Sequence, residues 1–142
     1  VLRFASVRIE DEWNGGDLHP MLRVVVNEAA NFAFNAFDED LTLTCLLRTV
    51  EEDRALYGFD LDHQPGVHCY GRGADIRTYD MPLRTAYHIM DYLNATFLYD
   101  THRPKLHCVG FEGATIPGST GNHLHCKAHD RTVKVNKEEI NV

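Results

Sequence analysis

Val67-His68-Cys69-Tyr70-Gly71-Arg72-Gly73-Ala74-Asp75-Ile76 is the stretch on which the reading of this chain turns. Its second half, from Gly73 to Thr78, predicts a strand, and the unperiodic run from Phe59 to Val67, with Asp60, Asp62, Pro65 and Gly66, predicts a loop delivering the chain to His68. An imidazole and a carboxylate thus stand seven residues apart across two glycines, a spacing that lets a loop and a strand converge. Imidazole nitrogen and carboxylate oxygen bind Zn²⁺ at about 2.0–2.2 Å, and a catalytic zinc site takes three protein ligands plus water. Two ligands are insufficient, so a third has to come from elsewhere in the chain.

The third source is Asn122-His123-Leu124-His125-Cys126. In a strand the period of two puts His123 and His125 on one face and Leu124 and Cys126 on the other. One histidine can ligate while the other stands within hydrogen-bond reach of the water, or both can ligate; the spacing allows either.

Around these motifs the chain alternates strand and helix signals without a regular βαβ pattern. Leu2 to Ile9 alternates apolar and polar residues as an edge strand would, and Asn14-Gly15-Gly16 is turn chemistry. Asp17 is positioned to cap a helix with Pro20 in its first turn, whose Leu22, Val25, Val26, Ala29, Phe32, Ala33 and Ala36 form a buried face. Leu41 to Leu46 is rich in β formers, and Glu51 to Tyr57 predicts a short helix stopped by Gly58. Asp80 and Pro82 open another helix, with Leu83, Ala86, Tyr87, Met90, Leu93 and Phe97 as its stripe. Lys105 to Phe111 and His123 to Ala128 predict two antiparallel strands joined by the Gly-rich connection Gly113 to Gly121, and Lys134 to Val142 a polar tail. The expected class is α+β: a small antiparallel sheet with helices packed on one face.

Composition bounds the rest. At 142 residues the expectation is one domain, 1–142, able to bury about two-thirds of its unfolded surface. With 44% hydrophobic and 25% charged residues it departs from disordered and fibrous compositions. The 14 Lys and Arg against 21 Asp and Glu, a net charge of −7, disfavour nucleic acid and anionic membranes as partners. No apolar run reaches a membrane span, and the N-terminus has no basic-then-apolar signal pattern. Cys45, Cys69, Cys108 and Cys126 occur singly, with no CxxC, and are expected to be buried or idle thiols. Cys69 and Cys126 each follow a candidate ligand and so could substitute for one, although the next residue of a strand faces the other way. His107 and Cys108 are expected on a strand beside the histidine motif, packed in the core or at an edge, with orientation of a ligand as the alternative; His19, His63, His88, His102 and His129 on the surface; Asp38-Glu39-Asp40 and Glu51-Glu52-Asp53 in solvent.

Three motifs together carry a resemblance. Leu43-Thr44-Cys45-Leu46-Leu47-Arg48-Thr49-Val50-Glu51-Glu52 resembles the strand-to-helix segment of D-Ala-D-Ala carboxypeptidase-like zinc peptidases, where an arginine follows a strand. His68 to Ile76 is similar to their His-x-x-Gly-x-x-x-Asp element, and His123-Leu124-His125 to the His-x-His motif shared with lysostaphin-type peptidases, murein endopeptidases and the hedgehog signalling domain. The resemblance spans about residues 20–130.

It implies the small α+β fold of the hedgehog and D-Ala-D-Ala peptidase group, with Zn²⁺ as cofactor held by His68, Asp75 and His125, and Arg48 on the substrate carbonyl or carboxylate. It implies a peptidase acting on peptidoglycan stem peptides as carboxypeptidase, endopeptidase or endolysin, directed to the cell wall, secreted or carried on a virion. A planar guanidinium suits both an oxyanion and a terminal carboxylate. Two positions depart from the pattern: Gly66 stands where many relatives have Ser, and Asn122 where many have the catalytic Glu. The proton acceptor is then expected to be His123, with Glu112 next in order. The rival expectation is a non-catalytic binding or structural module of the same fold that keeps zinc for stability.

Overall fold

Two apolar helical stripes and one two-faced sheet close the chain on itself. The computed structural model describes residues 1–57, 65–113 and 121–135. Four α-helices and a mostly antiparallel sheet occur among them, a mixed α+β arrangement.

The N-terminal strand is shorter than its alternation predicts. Strand β1 is Leu2–Phe4, after which Ser6 caps helix α1, Val7–Asn14, its side chain accepting from the Ile9 N–H. Val7 and Ile9 fit a strand as well as a helix, and the cap decides. Helix α2, Pro20–Phe37, has Pro at its start as expected, but its cap is His19 rather than Asp17: the imidazole Nδ1 accepts from Met21 N at 3.1 Å. Its buried face is Leu22, Val25, Val26, Ala29, Ala30 and Ala33, while Ala36 is exposed.

Strand β2 is Leu41–Cys45, helix α3 Val50–Tyr57, and a 3₁₀ turn Val67–Tyr70 leads into β3, Gly73–Arg77. Helix α4, Leu83–Thr96, buries Ala86, Ile89 and Leu93. Leu83 and Tyr87 of the expected stripe are exposed, so the true stripe is rotated toward Ile89. Strands β4 (Phe97–Leu98), β5 (Val109–Glu112), β6 (His123–Lys127) and β7 (Val133–Lys134) complete the order. The strand expected over Lys105 to Phe111 therefore begins only at Val109. The loop Phe59 to Val67, the Gly-rich connection, the tail and His63 fall largely or wholly outside the described residues.

The main sheet has the order β1-β2-β3-β6-β5, with β1–β2 parallel and the other pairs antiparallel; β4 and β7 form a separate pair. Period-two alternation sends Leu41, Leu43, Ala74, Ile76, Leu124 and Cys126 to one face, all of them without solvent exposure, beneath α2 and α4. The helices meet through Phe32 stacked on Tyr92 at 3.9 Å, and the Tyr92 hydroxyl donates to Glu28 at 2.7 Å. Burying each Leu or Ile of this layer stabilises the fold by about 1.5–3 kcal/mol. The opposite face of the same strands carries the polar residues.

Candidate functional site

The site is a row of side chains across the sheet face turned away from α2 and α4. Asp75 of β3 pairs with His125 of β6, which pairs with Gly110 of β5; two residues along, Arg77 pairs with His123, which pairs with Glu112. Strand β2 joins the row through a bulge. Leu43 is opposite Ile76, yet Cys45 is opposite Asp75, so two residues of β2 advance against one of β3. Strict alternation would send Cys45 into the core with Leu41 and Leu43; the bulge turns it to the polar face.

His68 reaches this row from the 3₁₀ turn and is only 4% exposed. Both glycines of its motif have steric work. Gly71 closes the turn with φ +67°, and a Cβ there would collide with the Asp17 carbonyl; a Cβ on Gly73 would lie 2.7 Å from Val67 Cγ2 and 3.2 Å from the His68 ring. The His68 Nδ1–H donates to the Leu46 carbonyl at 2.8 Å, which turns Nε2 toward Asp75 Oδ1 at 3.2 Å. His125 Nδ1 is 2.9 Å from that same oxygen. Two imidazoles from different elements converge on one carboxylate.

Electrostatics follow from this convergence. Burial opposes charge on Asp75, but hydrogen bonds from His125 and His68 outweigh it and hold the carboxyl well below its ordinary range. Burial likewise opposes charge on His68, and hydrogen bonding to Asp75 and Cys45 lifts it to about 10. A protonated His68 therefore faces an ionised Asp75, and a cation entering between them would displace the His68 proton.

Arg48 stands beside His68, its N–H donating to the His68 carbonyl at 3.2 Å. Its guanidinium donates from Nη1 to Asp53 Oδ1 at 3.0 Å and from Nη2 to Cys45 Sγ at 3.3 Å. Asp53 is wholly buried in the first turn of α3, which Thr49 and Glu52 cap reciprocally at 3.1 Å each. Its second oxygen accepts from Gly66 N at 3.2 Å, tying the arginine to the segment that leads into His68.

On the other flank, the His123 Nδ1–H donates to the Gly121 carbonyl at 2.8 Å. Its Nε2 is 2.9 Å from Glu112 Oε2 and 3.9 Å from Asp75 Oδ2.

The six residues singled out in the sequence, His68, Asp75, His125, His123, Glu112 and Arg48, thus lie together. Two neighbours escaped that reading. Cys45 is neither buried nor idle, and no feature of the sequence marks the bulge that exposes it. Asp53 is not solvated; its place five residues after Arg48, within the acidic first turn of a helix, was the only signal. The thiols considered as substitutes are elsewhere: Cys126 is buried in the apolar layer and Cys69 points its sulfur at the Thr49 carbonyl, 3.8 Å away. Cys108 packs under α4 against the Leu93 carbonyl, and His107 is exposed ahead of β5, so neither supports the ligands. His19 and His129 are half-buried and accept from backbone N–H groups, whereas His88 and His102 are exposed as expected.

Cys45, His68 and Asp75 form a group whose ligating atoms lie within 4.8 Å of one another and could hold a metal ion. The donor chemistry fits zinc. Bonds of about 2.0–2.1 Å in a tetrahedron set nitrogen and oxygen donors about 3.3 Å apart, close to the 3.2 Å between His68 Nε2 and Asp75 Oδ1; His125 is not part of that three-residue group and touches it through Asp75 Oδ1 at 2.9 Å. A backbone carbonyl fixing Nδ1–H of a histidine is also the usual way its other nitrogen is presented to a metal.

Clefts open on both flanks, one of about 590 Å³ lined by Arg48, Thr49, His68, Cys69 and Tyr70 among others, the second of about 170 Å³ between Thr44, Arg77, Tyr79 and His123. No helix among the described residues is long and apolar enough to cross a membrane. Comparison with protein-family models, curated proteins and solved structures finds no match to this chain.

Proposed function

We propose that the chain is a zinc-dependent peptidase of the D-Ala-D-Ala carboxypeptidase and hedgehog fold group, hydrolysing peptidoglycan stem peptides in the manner of a carboxypeptidase, endopeptidase or endolysin. The observation that carries this reading is the approach of His68 Nε2 and His125 Nδ1 to one oxygen of Asp75, with the Arg48 guanidinium alongside. His68, Asp75 and His125 would hold the ion, which when bound supplies a Lewis acid for the scissile carbonyl and acidifies water.

The remaining work falls to the chain's own groups. The His123–Glu112 pair takes the proton of the attacking water and returns it to the leaving amine, with His123 oriented by the Gly121 carbonyl. Arg48, fixed by Asp53, meets the developing oxyanion or a terminal carboxylate. The clefts on either side of the row give a peptide room in both directions.

Mass spectrometry of the products from defined stem peptides, with zinc-loaded wild type beside His68→Ala, tests this. Cleavage that requires His68 is expected; intact peptides across several cross-link types would overturn it. A second reading, favoured by the burial of His68 and Asp75, is a non-catalytic module that keeps zinc for folding. It takes over when zinc binds and stabilises the protein but no peptide is cut.

A further inference from the structure

We infer that Cys45 is a fourth metal ligand, completing a one-sulfur, two-nitrogen, one-oxygen donor set with His68, Asp75 and His125. The inference rests on the proposed metal centre and adds to it a residue that the three-ligand reading leaves out.

Three observations lead there. The bulge between β2 and β3 sets Cys45 opposite Asp75, which is itself opposite His125, so three donors stand abreast on adjacent strands. The sulfur lies 3.6 Å from His68 Nδ1, on the edge of the ring that also faces the Leu46 carbonyl, and one donor atom from each of Cys45, His68 and Asp75 can be chosen so that all fall within 4.8 Å of one another. Arg48 Nη2 aims at the sulfur from 3.3 Å, placing a fixed cation beside the anionic sulfur that a metal requires. A bulge that turns a residue out of the core and toward a site is a device for re-aiming one side chain.

The chemistry is consistent. Zinc accepts thiolate, imidazole and carboxylate in one tetrahedral shell. Binding replaces the thiol proton: the S–H bond breaks, the proton leaves to solvent, and the sulfur lone pair enters the metal's shell. Four protein donors close the shell, whereas a hydrolytic site keeps one position for water or substrate. The resting centre is therefore shut, and on the peptidase reading Cys45 has to leave before water or substrate can reach the ion.

Cobalt(II) reports this directly, because thiolate ligation gives an intense near-ultraviolet charge-transfer absorption that nitrogen and oxygen ligands do not. Apo wild type titrated with Co²⁺ is expected to show that band at one equivalent. Cys45→Ser is expected to keep the weaker visible bands of a bound Co²⁺, lose the charge-transfer band and bind more than tenfold more weakly, while Cys69→Ser keeps the band. Should Cys45→Ser fail to fold, alkylation of wild type read by peptide mass spectrometry serves instead, with Cys45 expected to be blocked without metal and protected when Zn²⁺ is bound.

Visible cobalt bands without charge transfer in wild type, or equal alkylation of Cys45 with and without zinc, would overturn the thiolate ligand and leave the three-ligand peptidase reading standing. Cobalt or zinc binding unchanged by His68→Ala would overturn both.

Discussion

Asp53 holds Arg48: the buried carboxylate accepts from Nη1 at 3.0 Å with one oxygen and from the Gly66 backbone at 3.2 Å with the other. The pair aims the guanidinium and pins the approach to His68 in one contact. Removing one member of a buried ion pair strands the other, at a cost of about 3–5 kcal/mol. Asp53→Ala is expected to lose that much in urea unfolding. Asp53→Asn keeps an acceptor, and is expected to lower kcat/KM on stem peptides more than it lowers stability.

Metal removal should be felt by the whole fold. An ion bound only by the native state stabilises it by about 4 kcal/mol at a thousandfold excess over its dissociation constant. Chelator-treated protein is expected to melt at lower temperature in a calorimetric scan and to recover on addition of Zn²⁺. Asp75→Ala should show the lower melting temperature with no recovery.

The His123–Glu112 contact predicts a division of labour. Glu112→Gln leaves His123 a hydrogen-bonding partner but removes the carboxylate beside its Nε2. Loss of a positioned proton acceptor costs about 10²–10⁴ in rate. On the proposed peptidase mechanism, Glu112→Gln and His123→Ala are each expected to lower kcat by a factor in that range at unchanged zinc content, and the double variant little further, since a pair that moves one proton fails as one unit.

Far from the site, Asp100 reports on acid stability. Its carboxylate has no solvent exposure and accepts from Arg131 Nε at 2.7 Å, Arg131 Nη2 at 2.9 Å, Arg103 Nε at 2.7 Å and His102 N at 2.8 Å. Hydrogen bonds from Arg131, over the opposing effect of burial, hold it far below the carboxylate range. A lowered native pKa gives stability that is present above the unfolded value of about 3.9 and is lost as pH falls below it. Asp100→Asn should be less stable at neutral pH, and its stability should fall less than that of wild type between pH ~5 and pH ~2, as followed by circular dichroism.

These sites differ in how far the sequence reveals them. The long helix α2 was legible because its apolar residues recur at helical spacing over five turns, and His123 and His125 because a period of two leaves no choice of face. Short segments were not: Val7 and Ile9 serve strand or helix alike, and the Ser6 cap settled the matter locally. Cys45 was hidden because alternation counted along β2 gives the wrong face once the register shifts against β3. Asp53 was hidden because an acidic first turn is ordinary in solvent, and it is the approach of Arg48 and of the Gly66 backbone that makes this carboxylate an internal one.

The sheet that carries the donors also has its apolar layer in the same strands, residue by residue: Ala74 and Ile76 flank Asp75, and Leu124 separates His123 from His125. In β3 and β6 packing and chemistry thus share a backbone. Thinning the layer, as Leu124→Ala would by about 2–5 kcal/mol, also loosens the spacing of the imidazoles, so unfolding and loss of the ligand geometry should be a single cooperative event.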